Sequence, residues 1–321
     1  MRKFIDLSKL FIAQFEIEHF PSSPPSLYDP NRYFLKLGGK RIRPVLCLMG
    51  NELFDDISPD AFNAANAIEL FHNFTLIHDD MMDEAPLRRG MQTVHEKWGK
   101  HTALLAGDVM LVKAYDYLNK ISSNYLRKII FLFNKTATEV CEGQQLDMGY
   151  EKVERVNFDD YLQMINLKTS VLLASSLQIG AVIGGAGERN QLLLYEFGRK
   201  LGLAFQVQDD YLDAFGDPEK FGKQIGGDIK AGKKTFLLIH ALETASPGQA
   251  AELLSSLSNY KNDNIESILN IYRQCGVEEW ATQLKEKYIQ EAFTHLDDIA
   301  VLSKRKQPLQ ELAMGLIQRE S

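Results

Sequence analysis

The sequence has few cysteines, no excess of positive charge and little sign of turns between strands, and each absence excludes a class of protein. Its three cysteines, Cys47, Cys141 and Cys275, are far apart and lack the spacing of metal ligands. We interpret them as reduced thiols of a reducing compartment and expect a cytoplasmic protein. The net charge of −7 argues against a nucleic-acid binder that relies on bulk charge. Any anion site must therefore come from local clusters of Lys and Arg.

Long apolar runs are scarce as well. Asp6 and Lys9 interrupt the N-terminal stretch before an apolar core of signal-peptide length develops. Residues 170–187 carry no charge, but they include Ser175, Gln178 and several glycines, which suit a lipid-facing helix poorly. We therefore expect a helix buried in a protein core and no membrane span.

The apolar residues recur with the period of an α-helix. Asn-Gly and Asp-Gly do not occur, and no stretch alternates as a half-buried strand does. The spacing predicts helices over 2–19, 31–37, 60–84, 101–120, 123–148, 158–183 and 189–215, with three or four more in the last eighty residues. We expect an all-α protein that forms one domain over residues 1–321.

Two acidic motifs each come after an apolar helical run. They are Asp79-Asp80-Met81-Met82-Asp83 and Asp209-Asp210-Tyr211-Leu212-Asp213. The outer aspartates of each motif are four residues apart, so on a helix they lie on one face. One copy could be a solvated surface, but two copies favour a metal site. Carboxylate oxygens suit Mg²⁺, which proteins hold with a few carboxylates and the phosphates of a substrate.

Basic residues cluster at two places near the first motif. Gly38-Gly39 precedes Lys40, Arg41 and Arg43, and Pro44 suits the first position of a helix, so this segment is either an anion site or a charged loop. Arg88 and Arg89 come after the motif and either compensate its charge or bind phosphate oxygens.

Three further polar residues lie on the predicted helices near the motifs. A lone helical histidine is more often structural than functional, but His72 is seven residues before Asp79 and shares its face, which favours a functional role as much as a structural one. Gln206 is three residues before Asp209. Lys168 lies in an apolar helix and either reaches the surface or points into a polar cavity.

The combination of carboxylates, basic side chains and apolar helix faces indicates a substrate with an anionic group and a hydrophobic chain. Metal ions on a diphosphate would stabilise it as a leaving group. Apolar side chains on the same helices, including Leu70, Phe74 and Phe205, predict a hydrocarbon tunnel. We expect a hydrocarbon diphosphate whose carbon–oxygen bond breaks to leave a carbocation.

From Gly38 to about Thr235 the sequence resembles the trans-isoprenyl diphosphate synthases of the polyprenyl synthetase family. The resemblance rests on Gly39-Lys40-Arg41-Ile42-Arg43-Pro44, both aspartate motifs, Arg88-Arg89-Gly90, Lys168-Thr169, Gln206 and Gly226-Gly227-Asp228. It implies a helical bundle around a central active-site cavity, normally a homodimer. It also implies head-to-tail condensation of isopentenyl diphosphate with an allylic diphosphate, ending in loss of a proton to the departing diphosphate.

The resemblance implies a role for each matching residue. Asp79, Asp83 and Asp209 would bind Mg²⁺, of which we expect three ions, while Asp80, Asp210 and Asp213 would act through waters or hydrogen bonds. The allylic diphosphate would be held by Arg88, Lys168, Lys223 and Lys233. Isopentenyl diphosphate would be held at Gly39 by Lys40, Arg43, His72 and Arg89. The Thr169 hydroxyl and the Gln206 carbonyl would face the allylic cation.

Product length is expected to depend on Phe74, five residues before Asp79, with the smaller Thr75 beside it. An aromatic residue there resembles short-chain synthases, chiefly those that make the C20 product, although Phe74 could be core packing only. The alternatives are a synthase of C30 or longer products and a regulatory subunit of a heteromeric synthase. A terpene cyclase or an HD-type phosphohydrolase fits less well, because neither needs the full set of motifs.

Overall fold

The computed structural model describes residues 1–216, 226–258 and 265–317. Helices make up 78% of the described residues and strands 1%, which confirms the predicted all-α class. Contacts between Cα atoms group the chain into two compact units, Met1–Phe133 with Ser176–Gln191 and Asn134–Ser175 with Leu192–Ser321. The single domain over residues 1–321 stays a prediction.

The described residues form sixteen α-helices, one short hairpin and one π-helical turn. The first part of the chain contains α1 (Phe4–Phe15), α2 (Pro25–Lys36), α3 (Ile42–Glu52), α4 (Pro59–Met82), β1 (Leu87–Arg88), β2 (Met91–Gln92), α5 (Val94–Trp98), α6 (Lys100–Leu118) and α7 (Ser123–Tyr150). The second part contains α8 (Phe158–Ile165), the π-helical turn (Asn166–Ser170), α9 (Val171–Ile183), α10 (Glu188–Phe215), α11 (Gly227–Lys230), α12 (Phe236–Thr244), α13 (Pro247–Ser258), α14 (Ile265–Gln274), α15 (Val277–Asp297) and α16 (Ser303–Ile317).

Helix α4 carries the first acidic motif in its last turn. It begins after Ser58, whose Oγ accepts a hydrogen bond from the Asp60 amide at 3.1 Å, and Pro59 is its first residue. It ends where the Asp83 amide donates to the Asp79 carbonyl at 2.9 Å. In the first unit α4 packs against α3 and α6, so its apolar residues fix the direction of the helix and the position of its acidic end.

The structure corrects three details of the predicted elements. Strands β1 and β2 form a hairpin that was not expected, because its turn is Arg89-Gly90, with positive φ angles of 54° and 76°. Helix α3 begins at Ile42, so Pro44 is its third residue, within the first turn where proline costs no hydrogen bond. Helix α2 begins at Pro25, six residues earlier than predicted.

One helical stretch, Phe158–Ile183, is long and apolar enough to cross a membrane among the residues that the structure describes, and 78% of its most apolar window is buried inside the protein. This burial fits the predicted core helix. The three cysteines are free thiols, with Cys47 buried and Cys141 exposed.

Candidate active site

The aspartates of the first motif differ in exposure. The Asp79 side chain is 21% exposed and that of Asp80 only 2%, while Asp83 is exposed. Arg88 Nε donates to both Asp80 carboxylate oxygens at 2.8 Å. Burial raises the pKa of Asp80, and the hydrogen bond from Arg88 opposes the rise. Asp79 and Asp83 are therefore the accessible carboxylates of this motif, and Asp80 is held by the protein.

The hairpin directs its two arginines to different partners. Arg88 pairs with Asp80, and its Nη2 lies 3.6 Å from an Asp79 oxygen, so in the structure it compensates the charge of the motif. Arg89 donates instead to the Gly38 carbonyl. The hairpin is anchored to α2 because the Tyr33 hydroxyl donates to the Gln92 carbonyl at 2.8 Å.

The predicted anion-binding residues line one cavity of about 420 Å³ in the first unit. Its walls are formed by Gly39, Lys40, Arg41, Ile42, Arg43, Glu69, His72 and Arg89. We call it the cationic cavity. Arg43 Nη1 donates to His72 Nε2 at 3.2 Å. Burial and the charge of Arg43 hold the pKa of His72 well below its usual value, so the ring is neutral and accepts this bond.

Arg43 keeps its charge in this setting. Burial lowers its pKa to about 10, with Glu69 opposing the change, so the guanidinium is protonated at neutral pH. Gly39 has a φ of 144°, and a Cβ atom there would lie 3.0 Å from Arg89 Nη2. The glycine therefore lets the Arg89 guanidinium approach the backbone and complete the cavity wall.

A second cavity, of about 150 Å³, lies in the second unit and contains the other predicted catalytic residues. Its walls include Asp147, Tyr161, Lys168, Thr169, Gln206, Asp209, Asp210, Asp228, Lys233 and Lys234. Lys168 Nζ donates to Asp147 Oδ2 at 2.6 Å. Of the two interpretations of Lys168, the polar cavity is confirmed.

The Lys168-Thr169 pair is placed by the π-helical turn. The Val171 amide donates to the Asn166 carbonyl five residues earlier, which widens the helix at this point. Glycines on neighbouring helices pack tightly against the turn. A Cβ atom on Gly143 of α7 would lie 2.3 Å from the Lys168 backbone nitrogen, and one on Gly202 of α10 would lie 2.8 Å from the Ser170 Cα.

Gly143→Ala is expected to lower stability by about 1–3 kcal/mol, because the added methyl group would push against backbone that cannot yield locally. It should also lower kcat roughly ten- to hundredfold by moving Lys168 and Thr169. Thermal unfolding and initial rates measure the two effects. Gly149→Ala, on the same helix with open space around the added Cβ atom, is the control and should be harmless. Equal behaviour of the two variants would contradict the tight contact.

The aspartates of the second motif repeat the pattern of the first. Asp210 is buried, and it accepts hydrogen bonds from the Tyr161 hydroxyl at 3.0 Å and from Gln206 Nε2 at 2.8 Å. Burial, and then the charge of Asp228, raise its pKa well above the usual value. Asp209 is only partly buried and lines the cavity. Asp213 Oδ2 accepts a bond from the Asp228 amide at 2.9 Å and so fixes the start of α11.

The remaining predicted site residues that the structure describes lie around the first motif and the second cavity. Phe74 is partly exposed, and its ring lies 5.6 Å from that of Phe71 and 4.7 Å from that of His78. Thr75 Oγ1 donates to the His72 carbonyl at 2.8 Å. Lys233 lines the second cavity, and Lys223 lies outside the described residues.

Sequence reasoning assigned no role to Glu69, Asp147 or Tyr161, although Asp147 and Tyr161 contact the predicted site residues Lys168 and Asp210 and Glu69 lines the cationic cavity. Glu69 pairs with Arg41 in the wall of the cationic cavity. The sequence does contain signals for two of them. Glu69 lies three residues before His72, and Tyr161 lies seven before Lys168, so helical spacing places each near the face of a predicted site residue.

The donor set fits a hard divalent cation. Among the described residues, no three side chains of Asp, Glu, His or Cys are close enough to hold an ion by themselves. Each motif nevertheless offers an accessible first aspartate beside a buried second one that other side chains hold. Mg²⁺ usually keeps several waters and takes only one or two carboxylates with substrate phosphates, so this set suits it.

An all-helical fold, accessible carboxylates and a cationic cavity are what an enzyme that acts on diphosphates needs. The chain belongs to the polyprenyl synthetase family, whose pattern it matches over residues 24–275. It is 38% identical to a geranylgeranyl diphosphate synthase of Methanosarcina mazei, over 92% of this chain and 91% of that protein.

Solved structures agree with this membership. A crystal structure of a geranylgeranyl pyrophosphate synthase is 41% identical with a TM-score of 0.94 and covers all of both chains. The geranylgeranyl pyrophosphate synthetase of Pyrococcus horikoshii is 32% identical with a TM-score of 0.92 over 98% of each chain. The expectations of family, isoprenoid synthase fold and transferase class are confirmed.

Proposed function

We propose that the chain is a prenyltransferase that condenses isopentenyl diphosphate head-to-tail with allylic diphosphates and makes a short-chain product, with C20 favoured. The observation that carries this proposal is the cationic cavity. It gathers Lys40, Arg43 and Arg89 around a neutral His72, and its carboxylate, Glu69, already pairs with Arg41. Isopentenyl diphosphate keeps its carbon–oxygen bond during the reaction, so it needs a diphosphate site of this kind, built from basic side chains without metals. A terpene cyclase only ionises its one substrate and does not need a second diphosphate site.

The aspartate motifs serve the other substrate in this proposal. Asp79, Asp83 and Asp209 would hold Mg²⁺, three ions in all, which when bound would stabilise the departing diphosphate. Asp80 and Asp210 act through their hydrogen bonds. Asp213 holds the start of α11. Arg88, Lys168, Lys233 and Lys223 would bind the allylic diphosphate. Arg88 must then share its guanidinium between Asp80 and phosphate oxygens, which its several donors allow.

The groups around the allylic carbon can be assigned from the hydrogen bonds of Gln206. Its amide nitrogen is committed to Asp210, so its carbonyl oxygen is the end that can face positive charge. With the Thr169 hydroxyl it would stabilise the allylic cation. The isopentenyl double bond attacks this cation, a carbon–carbon bond forms, and a proton passes to the diphosphate that has left.

Three further features belong to the proposal. The resemblance to the family supports a homodimer. The free thiols fit a reducing cytoplasm, and the burial of the Phe158–Ile183 stretch supports a chain without a membrane span.

The test is an incubation of the purified chain with isopentenyl diphosphate, Mg²⁺ and each of the C5, C10 and C15 allylic diphosphates, with product length read by mass spectrometry. Growth in C5 steps that stops at C20 is expected. Reactions without isopentenyl diphosphate and reactions with a chelator are the controls. Cyclic hydrocarbons without isopentenyl diphosphate would indicate a cyclase, and inactivity with every primer would favour the regulatory-subunit alternative.

A further inference from the structure

Glu69 is a buried carboxylate in the wall of the cationic cavity, where a negative charge opposes anion binding. It is 3% exposed. One of its oxygens pairs with Arg41 Nη1 and also accepts a bond from Asn73 Nδ2 at 3.0 Å. Asn73 Nδ2 also lies 2.6 Å from the Glu69 carbonyl. These hydrogen bonds hold the carboxylate in the wall of the cationic cavity despite its unfavourable charge, which indicates that it has a role there.

That role involves Arg41. Its side chain is 9% exposed, and besides Glu69 it bonds to the Leu35 carbonyl at 3.1 Å and lies 5.2 Å from the centre of the Phe15 ring. Its φ angle of 50° is unusual for a residue other than glycine. These contacts commit the guanidinium to the protein, so Arg41 is poorly placed to serve as a phosphate ligand. They also fix the backbone between Lys40 and Arg43.

We infer that Glu69 is a positioning residue for isopentenyl diphosphate, acting through Arg41 to hold the Gly39–Arg43 segment in its binding conformation. This inference rests on the proposed function and deepens it. Removal of the Glu69 charge would also have an opposite effect on affinity, because the cavity would then attract anions more strongly. We expect the displacement of the Gly39–Arg43 segment to outweigh this gain in attraction. A buried Arg41 without its carboxylate is strongly unfavourable, so its side chain would move and take with it the segment that it anchors.

Glu69→Gln keeps the size of the side chain and its contact with Asn73 but removes the charge. We expect KM for isopentenyl diphosphate to rise ~10-fold or more, while KM for the allylic diphosphate stays within about twofold. Glu52→Gln is the matched control, because Glu52 is also buried and pairs with an arginine, Arg2 Nε at 2.6 Å, but does not line the cavity. A purely structural role would lower Tm in both variants and shift neither KM.

Arg41→Met completes the test. If Glu69 acts through Arg41, the Arg41→Met variant should show the same rise in KM, and the double variant should be no worse than either single one. Calorimetric titration with isopentenyl diphosphate gives the affinities without turnover. An unchanged or lowered KM in Glu69→Gln, or additive effects in the double variant, would overturn the inference. A wild-type chain that binds isopentenyl diphosphate but does not condense it would refute only the proposed function.

Discussion

Asp79→Ala and Asp209→Ala are each expected to lower kcat by roughly a thousandfold, because each would remove a proposed Mg²⁺ ligand, worth about 4 kcal/mol to the departing diphosphate. Both side chains are partly exposed, whereas those of Asp80 and Asp210 are buried. The variants should therefore fold normally. Initial rates at saturating substrate and Mg²⁺, together with thermal unfolding, measure the two properties.

Asp56→Ala controls for the loss of an exposed aspartate in the first unit and should leave the rate unchanged. Asp210→Ala offers a contrast, because it would leave the Tyr161 hydroxyl and the Gln206 amide without their acceptor and so lower Tm as well as the rate. Full activity of either the Asp79 or the Asp209 variant would disprove the metal assignment.

Phe74→Ala is expected to shift the main product from C20 to longer chains. Phe74 is five residues before Asp79, about 7.5 Å along the helix, and its loss would open space at that depth. Product length after exhaustive elongation is read by mass spectrometry. Phe4→Ala removes a partly buried aromatic ring from α1 and should not alter the product.

The contacts of Phe74 make the result informative in either direction. Its ring packs against those of Phe71 and His78, and five residues rotate it about 140° from Asp79 around the helix. If the product stays at C20 in Phe74→Ala, the ring only packs against its neighbours and another residue limits the chain. If the wild type stops at C15, the limit lies nearer the aspartate motif.

The features predicted from the sequence are those with local causes. The spacing of apolar residues predicted helix α4 with its acidic last turn. Neighbouring basic residues in the sequence predicted the segment around Lys40 and the Arg88-Arg89 pair. The hydrogen-bond partners were not predictable, because they are far apart in the sequence. Arg41 pairs with Glu69, 28 residues away, and Tyr161 donates to Asp210, 49 residues away. The choice between a surface and a cavity position for Lys168 also needed the fold. It depends on Asp147 of another helix.

The π-helical turn at Asn166–Ser170 affects how related sequences should be aligned with this one. A π turn holds about one residue more than an α-helical turn, so the residues after it are rotated by roughly 100° relative to an uninterrupted helix. A relative lacking one residue here would keep the same apolar helix yet aim the counterparts of Lys168 and Thr169 in another direction. A single-residue gap at this place in an alignment therefore marks a different active site, whereas the same gap in a surface loop would be neutral.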